Sequence, residues 1–242
     1  MDERVNRYIN EGGWATLVGA CDSNIYAVLS QIDAIQRENE ILGDMAEIGV
    51  AGGRLLIMLG LLARPQEHVL AIDVFDVQDN YDPTGGTTTV EGVRSAYRNY
   101  VGSTDQLRLV VGDSMQLTAP TIRESMASKQ MRVFSVDGAH SHFHTSNDMR
   151  LAEEVLAPGG VVMVDDITNA GWPGVIEGVA RYFLNQSCCK LFPFMMAYNK
   201  LWLTTHDYHE RYLRYALDEV PLFSPGLHKR VTRFFGVDIV GF

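Results

Sequence analysis

The sequence predicts an α/β protein: a Rossmann-like, doubly wound sheet, mostly parallel, with a terminal hairpin that adds an antiparallel strand at the edge. Three observations predict it. From Gly43 onward short apolar runs alternate with longer helical segments. The turns that follow the runs carry Gly and Asp. Two last apolar runs, 190–197 and 200–205, are joined only by Tyr198-Asn199. Parallel neighbours require crossover connections, so repeated β–α units place helices on both faces of one sheet.

The elements follow in order. After a break at Gly12-Gly13-Trp14, residues 24–39 read as an amphipathic helix, with Ile25, Val28, Leu29, Ile32 and Ile35 at helical spacing. Strands are predicted over 45–50, 69–74, 107–111, 131–136 and 161–164. Helices are predicted over 55–63, 90–100, 121–128, 147–156 and 175–184. This divides the chain into an N-terminal helical extension (1–42), a core (43–205) and a C-terminal helical and strand extension (206–242). His206, Tyr208 and His209 open a C-terminal helix, read here as a subunit contact.

Composition narrows the function classes. The chain has 242 residues, 46% of them apolar, which suits one α/β domain with additions. A net charge of −10 argues against a phosphate backbone as partner. The one basic group, His228, Lys229, Arg230 and Arg233, is short enough to be a solvated face. The start, MDERVNRYIN, lacks the apolar run of a secretory signal, and no stretch approaches the roughly 20 apolar residues of a membrane span. Cys21, Cys188 and Cys189 have no C-x-x-C spacing, so neither a disulfide framework nor a zinc site is expected. The expectation is a cytoplasmic protein with no nucleic-acid or membrane partner.

Strand ends carry the motifs, where ligands of doubly wound sheets bind. Glu47-Ile48-Gly49-Val50-Ala51-Gly52-Gly53 closes the first strand. Its glycines permit a tight turn and close backbone approach to a ligand. Asp73 ends the second strand and is placed to accept ribose hydroxyls. Asp113 and Ser114 end the third, where a carboxylate can take an adenine amine; the plain alternative for Asp113 is a helix cap. Dinucleotide enzymes share half of this pattern, but their turn is usually G-x-G-x-x-G. The carboxylate of Glu47 suits a cationic ligand better than a pyrophosphate, which favours a sulfonium cofactor, S-adenosylmethionine, over NAD.

The next two strand ends hold the chemistry. Asp137-Gly138-Ala139-His140 follows the fourth strand and Asp165-Asp166 the fifth. Neighbouring strands lie roughly 5 Å apart, so Asp137, Asp165 and Asp166 can converge. Crowded carboxylates repel or titrate upward unless a cation joins them, and a hard, oxygen-preferring divalent ion such as Mg2+ resolves the conflict. His140, three residues beyond Asp137, is placed as general base on a substrate hydroxyl, with His142 and His144 as rivals. Among aromatic candidates for a substrate wall (Trp14, Tyr26, Tyr81, Trp172 and Tyr198), the Trp172-Pro173-Gly174 segment stands out. The loop 78–89 is long enough to serve as a lid.

These residues resemble the macrocin O-methyltransferase-like family, class I enzymes that use S-adenosylmethionine and a metal to methylate sugars of natural products. The resemblance rests on Glu47, Gly49 and Gly53; Asp73; Asp137, Gly138 and His140; and Pro158, Gly159, Gly160, Asp165 and Asp166, and covers roughly residues 43 to 205. It implies Mg2+ at Asp137, Asp165 and Asp166, cofactor contacts that include Asp137, His140 as base, a hydroxylated small-molecule acceptor and a homo-oligomer. Arg54 departs from the small residue that often ends the family's first turn, and a large auxiliary domain is not expected. Alternatives are a cephalosporin hydroxylase-like protein of the same fold and a catechol or phenol O-methyltransferase, although catechol-type enzymes usually carry Asp-Asn where Asp165-Asp166 stands. An NAD-dependent oxidoreductase and a binding module without turnover are further rivals.

Overall fold

A computed structural model describes residues 2–75, 88–184, 189–220, 222 and 228–242. Helices α1 (Glu3–Val5) and α2 (Asn24–Glu38) precede β1 (Asp44–Ile48), α3 (Arg54–Leu62) and β2 (Val69–Asp73). Then come α4 (Val90–Val101), β3 (Leu107–Val111), α5 (Ala119–Glu124), β4 (Met131–Val136) and α6 (His142–Val155). The chain continues through β5 (Leu156–Val164), α7 (Pro173–Leu184), β6 (Leu191–Ala197), β7 (Lys200–Thr205), α8 (His209–Asp218), β8 (Arg230–Phe234) and β9 (Val237–Gly241). No helix among the described residues is long and apolar enough to cross a membrane.

All these strands join one sheet in the order β3-β2-β1-β4-β5-β7-β6-β9-β8. The first five are parallel, and β7 runs antiparallel between β5 and β6. The expected hairpin therefore exists but does not end the sheet. β9 pairs parallel with β6, and β8 closes the row. Residues 206–242 thus add strands to the core sheet, and α8 turns Tyr212, Tyr215 and Ala216 inward. The Tyr212 hydroxyl donates to the Gly159 carbonyl (2.9 Å) and the Tyr215 hydroxyl to Gln31 Oε1 (2.9 Å).

Two boundaries move for local reasons. α6 starts at His142, not 147, because the Ser141 hydroxyl accepts from the His144 amide and caps it. α5 starts at Ala119, where Thr118 caps and Pro120 fits the first turn.

Strand side chains alternate between two cores. On one face Met45, Val133, Met163 and Trp202 pack with α2, α3, α4 and α8. On the other Ala46, Ile48, Phe134, Val136, Val162, Val164, Leu201 and Leu203 pack with α5, α6 and α7. At the amino-terminal edge sits a buried ionic network. Arg132, 1% exposed, donates to both Glu67 carboxylate oxygens (2.8 and 2.9 Å) and to Gln36 (2.9 Å), and pairs with Asp33 (3.0 Å). Charge is matched there, which leaves the opposite edge for ligands.

Candidate active site

Register sets the carboxyl edge. Ile48 lies opposite Val136 and Val136 opposite Val164. The ladder runs one step further, with the Asp137 amide donating to the Ile48 carbonyl and the Asp165 amide to that of Val136, both at 2.9 Å. Asp137 and Asp165 therefore emerge side by side. Alternation puts Glu47, Asp137, Asp165 and Lys200 on one face of four adjacent strands, β1, β4, β5 and β7.

The glycine turn after β1 presses directly on this row. Gly49 has φ +83°, and a Cβ there would run into the Asp137 carbonyl. Only glycine permits that approach. Asp73 braces the turn: one carboxylate oxygen accepts from the Val50 (2.7 Å) and Ala51 (3.2 Å) amides, the other from Phe75 (2.8 Å). Gly53, at φ +90°, leads into α3. The segment before α2 folds over the turn. The Gly52 amide donates to the Val18 carbonyl (3.1 Å) and Arg54 Nε to that of Leu17 (2.8 Å), while the Arg54 guanidinium lies 5.2 Å from the Trp14 ring centre. Arg54, the residue that departs from the resembled pattern, is thus the latch of this cover. Asp113 does cap the short turn after β3, accepting from the Met115 amide (2.9 Å), and Ser114 beside it is buried.

Glu47 is 2% exposed, and its Oε2 has no hydrogen-bond partner. Burial pushes its carboxyl well above the ordinary range, and Asp137 adds to this. Burial also pushes Asp137 up to about 8, with Asp165 adding repulsion. A cation is the natural occupant of such a place.

Beyond the row lies a second cluster. His140 (φ +54°) and Asp166 (φ +58°) both adopt left-handed backbone, a conformation that costs a bulky residue about 1–3 kcal/mol and gathers at functional sites. His140 Nε2 lies 3.1 Å from Asp166 Oδ2 and 3.5 Å from Asp137 Oδ1. One ligand atom from each of the three sits within 4.8 Å of the others. Asn169 (2.9 Å) and Asn199 (2.6 Å) donate amides to Asp166 Oδ1. Burial works against ionisation of Asp166, but the hydrogen bonds from His140, Asn169 and Asn199 hold it down to about 2. For His140, burial alone would lower the imidazole; the Asp137 and Asp166 carboxylates outweigh it and raise it to about 9. The Trp172 indole stacks on that imidazole. A cavity of about 10 Å³ lies among Asp137, Gly138, His140 and Asp165.

The rival histidines face elsewhere. His142 Nδ1 is 3.4 Å from Glu177, and His144 Nε2 is 3.4 Å from Asp113. Asp165, expected as a third metal ligand, is engaged on both oxygens: Oδ1 accepts from the Asp166 amide (2.8 Å), and Oδ2 is ion-paired with the buried Lys200 ammonium. Lys200, Asn169 and Asn199 escaped the sequence reading. Of the aromatic candidates, Trp14 covers the glycine turn, Trp172 meets His140 and Tyr198 packs edge-on against Phe242. Tyr26 is part of α2. Tyr81 and most of the loop 78–89 lie outside the described residues.

With this geometry in hand, a family model described as a methyltransferase domain matches residues 46–167, half of the chain. The chain belongs to the methyltransferase-domain family. No curated protein matches it. Among solved structures, the O-methyltransferase NovP is similar at a TM-score of 0.62 and 17% identity, over 77% of this chain and 83% of that one. TomG from Streptomyces achromogenes, an O-methyltransferase of tomaymycin synthesis solved with S-adenosylmethionine, gives 0.55 and 16% over 85% and 91%. CalS11, a TDP-rhamnose 3'-O-methyltransferase of calicheamicin biosynthesis, gives 0.52 and 19% over 74% and 79%. These likenesses establish the class I methyltransferase fold for this family member. The glycine turn, the Asp137–His140 loop and Asp165-Asp166 all fall inside the matched residues.

Proposed function

We propose that this methyltransferase uses S-adenosylmethionine and a divalent cation such as Mg2+ to methylate a hydroxyl group of a small molecule, with a sugar moiety of a natural product as acceptor. The observation that carries the reading is the meeting of Asp137, His140 and Asp166 beyond the ends of β4 and β5, against the glycine turn. S-adenosylmethionine fits the residues present. The unpartnered Oε2 of buried Glu47, next to Asp137, suits the cofactor's cationic end. Gly49 and Gly53 shape the turn, Asp73 retains lone pairs for ribose hydroxyls, and Asp113 with Ser114 borders the adenine side.

The carboxylates of Asp137 and Asp166, with a nearby side-chain amide, suit a hard divalent ion such as Mg2+ or Mn2+. When bound, such an ion supplies Lewis acidity that lowers the pKa of an acceptor hydroxyl. With such an ion's charge offsetting Asp137 and Asp166, the two carboxylates that otherwise keep the imidazole protonated, His140 would then be placed to take that hydroxyl's proton at Nε2. Trp172 holds the ring plane, and Asn169 and Asn199 hold Asp166. The N-terminal cover, latched by Arg54, shields the glycine turn from water.

An apolar cleft of about 570 Å³ opens beside Asn169, between Pro173 and Ile176 of α7 and Met196, Phe234 and Ile239 of the outer strands. It suits the apolar body of an acceptor and favours a glycosylated or phenolic molecule over a free sugar. TomG and CalS11 are by title O-methyltransferases of natural-product pathways, which agrees with this direction.

Calorimetry with S-adenosylhomocysteine, with and without Mg2+, tests the cofactor reading. Absence of binding removes it; binding and turnover that ignore EDTA remove the cation. A panel of glycosylated, phenolic and catechol acceptors with labelled cofactor tests the substrate class, and turnover of catechols alone moves the reading to that family.

A further inference from the structure

The strand ends present more negative charge than one cation can serve, and the fold already contains a cation. Lys200, the first residue of β7, is 2% exposed. Because β7 returns antiparallel beside β5, its side chain enters the row formed by Glu47, Asp137 and Asp165, on the same sheet face. Its Nζ is paired with Asp165 Oδ2, while Asp165 Oδ1 already accepts the Asp166 amide. Asp166, turned by its positive φ, leaves the row and meets His140 on the other side.

We infer that Lys200 is a built-in counter-cation that withdraws Asp165 from the metal, leaving Asp137 and Asp166 as its carboxylate ligands beside the base His140, with Asn199 orienting Asp166. Lys200 is in this sense a positioning residue. An ammonium locked on Asp165 keeps that carboxylate from swinging toward the cluster, so two acids of the row are assigned to different cations. Removing the ammonium leaves the mostly covered Asp165 carboxylate without its partner and adjacent to Asp137, a situation that favours recruitment of a divalent ion. The hairpin turn delivers both halves of the device: Asn199 bonds Asp166, and the next residue bonds Asp165.

This inference rests on the cation reading above, and the test separates the two. Mn2+ binding is measured by electron paramagnetic resonance on the whole chain as wild type, Asp166→Asn, Asp165→Asn, Lys200→Met and the double variant Lys200→Met/Asp165→Asn, each checked for a cooperative melt. Asp166→Asn is expected to weaken Mn2+ by about tenfold or more, and Asp165→Asn by less than about threefold. In the Lys200→Met background Asp165 is free to ligate, so the added Asp165→Asn change should now cost about fivefold or more, a coupling that a merely structural lysine would not produce. Equal losses in Asp165→Asn and Asp166→Asn overturn the assignment, as does identical binding by Lys200→Met and the double variant. If Lys200→Met does not fold, the comparison of the two aspartate variants decides. A wild type that binds no Mn2+ takes down the cation reading and this assignment together.

Discussion

The Trp172 indole lies nearly parallel to the His140 imidazole, 4.5 Å between ring centres and 17° between planes. Trp172 comes from the loop after β5 and His140 from the loop after β4, so the stack ties the two strand ends that build the cluster. Trp172→Ala leaves the imidazole free to rotate away from both carboxylates. Turnover should fall by about tenfold to a hundredfold, since small misplacements of a reacting group cost that much. S-adenosylhomocysteine affinity should stay within about twofold, and Trp172→Phe should recover part of the rate. Unchanged turnover in the alanine variant would show that the ring needs no support.

His140→Ala should reduce methyl transfer by about a hundredfold to ten-thousandfold, the usual contribution of a positioned base. His142→Ala and His144→Ala should remain near wild type, because those rings face Glu177 and Asp113. Initial rates with labelled cofactor distinguish the three variants. A dead His144→Ala with a live His140→Ala would reverse the assignment.

Gly49→Ala puts a methyl group against the Asp137 carbonyl at a backbone angle that L-residues rarely adopt. A destabilisation of about 3 kcal/mol or more is expected, together with loss of S-adenosylhomocysteine binding in any folded fraction. Chemical unfolding and calorimetry read both.

At the far edge of the sheet, Arg132→Met would strand Glu67 and Asp33 without their buried partner. The expected cost is about 3–5 kcal/mol, the range for removing one member of a buried pair. Adding Glu67→Gln should recover part of it. A loss under about 1 kcal/mol for the single variant would mean that Arg64 compensates.

Asp148, on α6, supplies a pH dependence. Burial pushes its carboxyl up to about 6; Ser114, Asn147 and His144 act in the opposite direction and Asp113 adds to the rise. Between pH 4 and 6 the native chain therefore keeps a proton that the unfolded chain has released. The associated stability is present below about pH 4 and is lost as pH rises through about 6. Asp148→Asn removes the ionisation, so its stability relative to wild type should improve by about 3 kcal/mol between pH 4 and pH 7. Urea unfolding at the two pH values measures this, and a constant difference contradicts it.

Much of the sheet could be read from the alternation of apolar runs with helices and from turn residues, because β1, β2, β4 and β5 are largely buried and each parallel strand from β1 to β5 ends in a Gly- or Asp-bearing turn. The outer strands could be read only as strand within the C-terminal extension, without their place in the sheet. Arg230-Val231-Thr232-Arg233-Phe234 is exposed along most of its length, so its sequence carries no burial pattern. At the site, Asp137, His140 and Asp166 were visible as strand-end residues whose chemistry stands out. Lys200 was not, since a lysine opening a strand is unremarkable until the antiparallel return of β7 buries it. The same holds for Asn199, which reaches Asp166 across 33 residues of chain. Asp165 and Asp166 look equivalent as neighbours in sequence; the positive φ of Asp166 is what parts them.

The contact between Gly49 and the Asp137 carbonyl makes one backbone wall common to two compartments. Whatever settles against the turn also sets the position of the aspartate behind it. Under the proposed function, cofactor and cation would be thermodynamically linked guests: a factor by which either tightens the other must be returned in equal measure. A titration of one in the presence of the other would record that reciprocity directly.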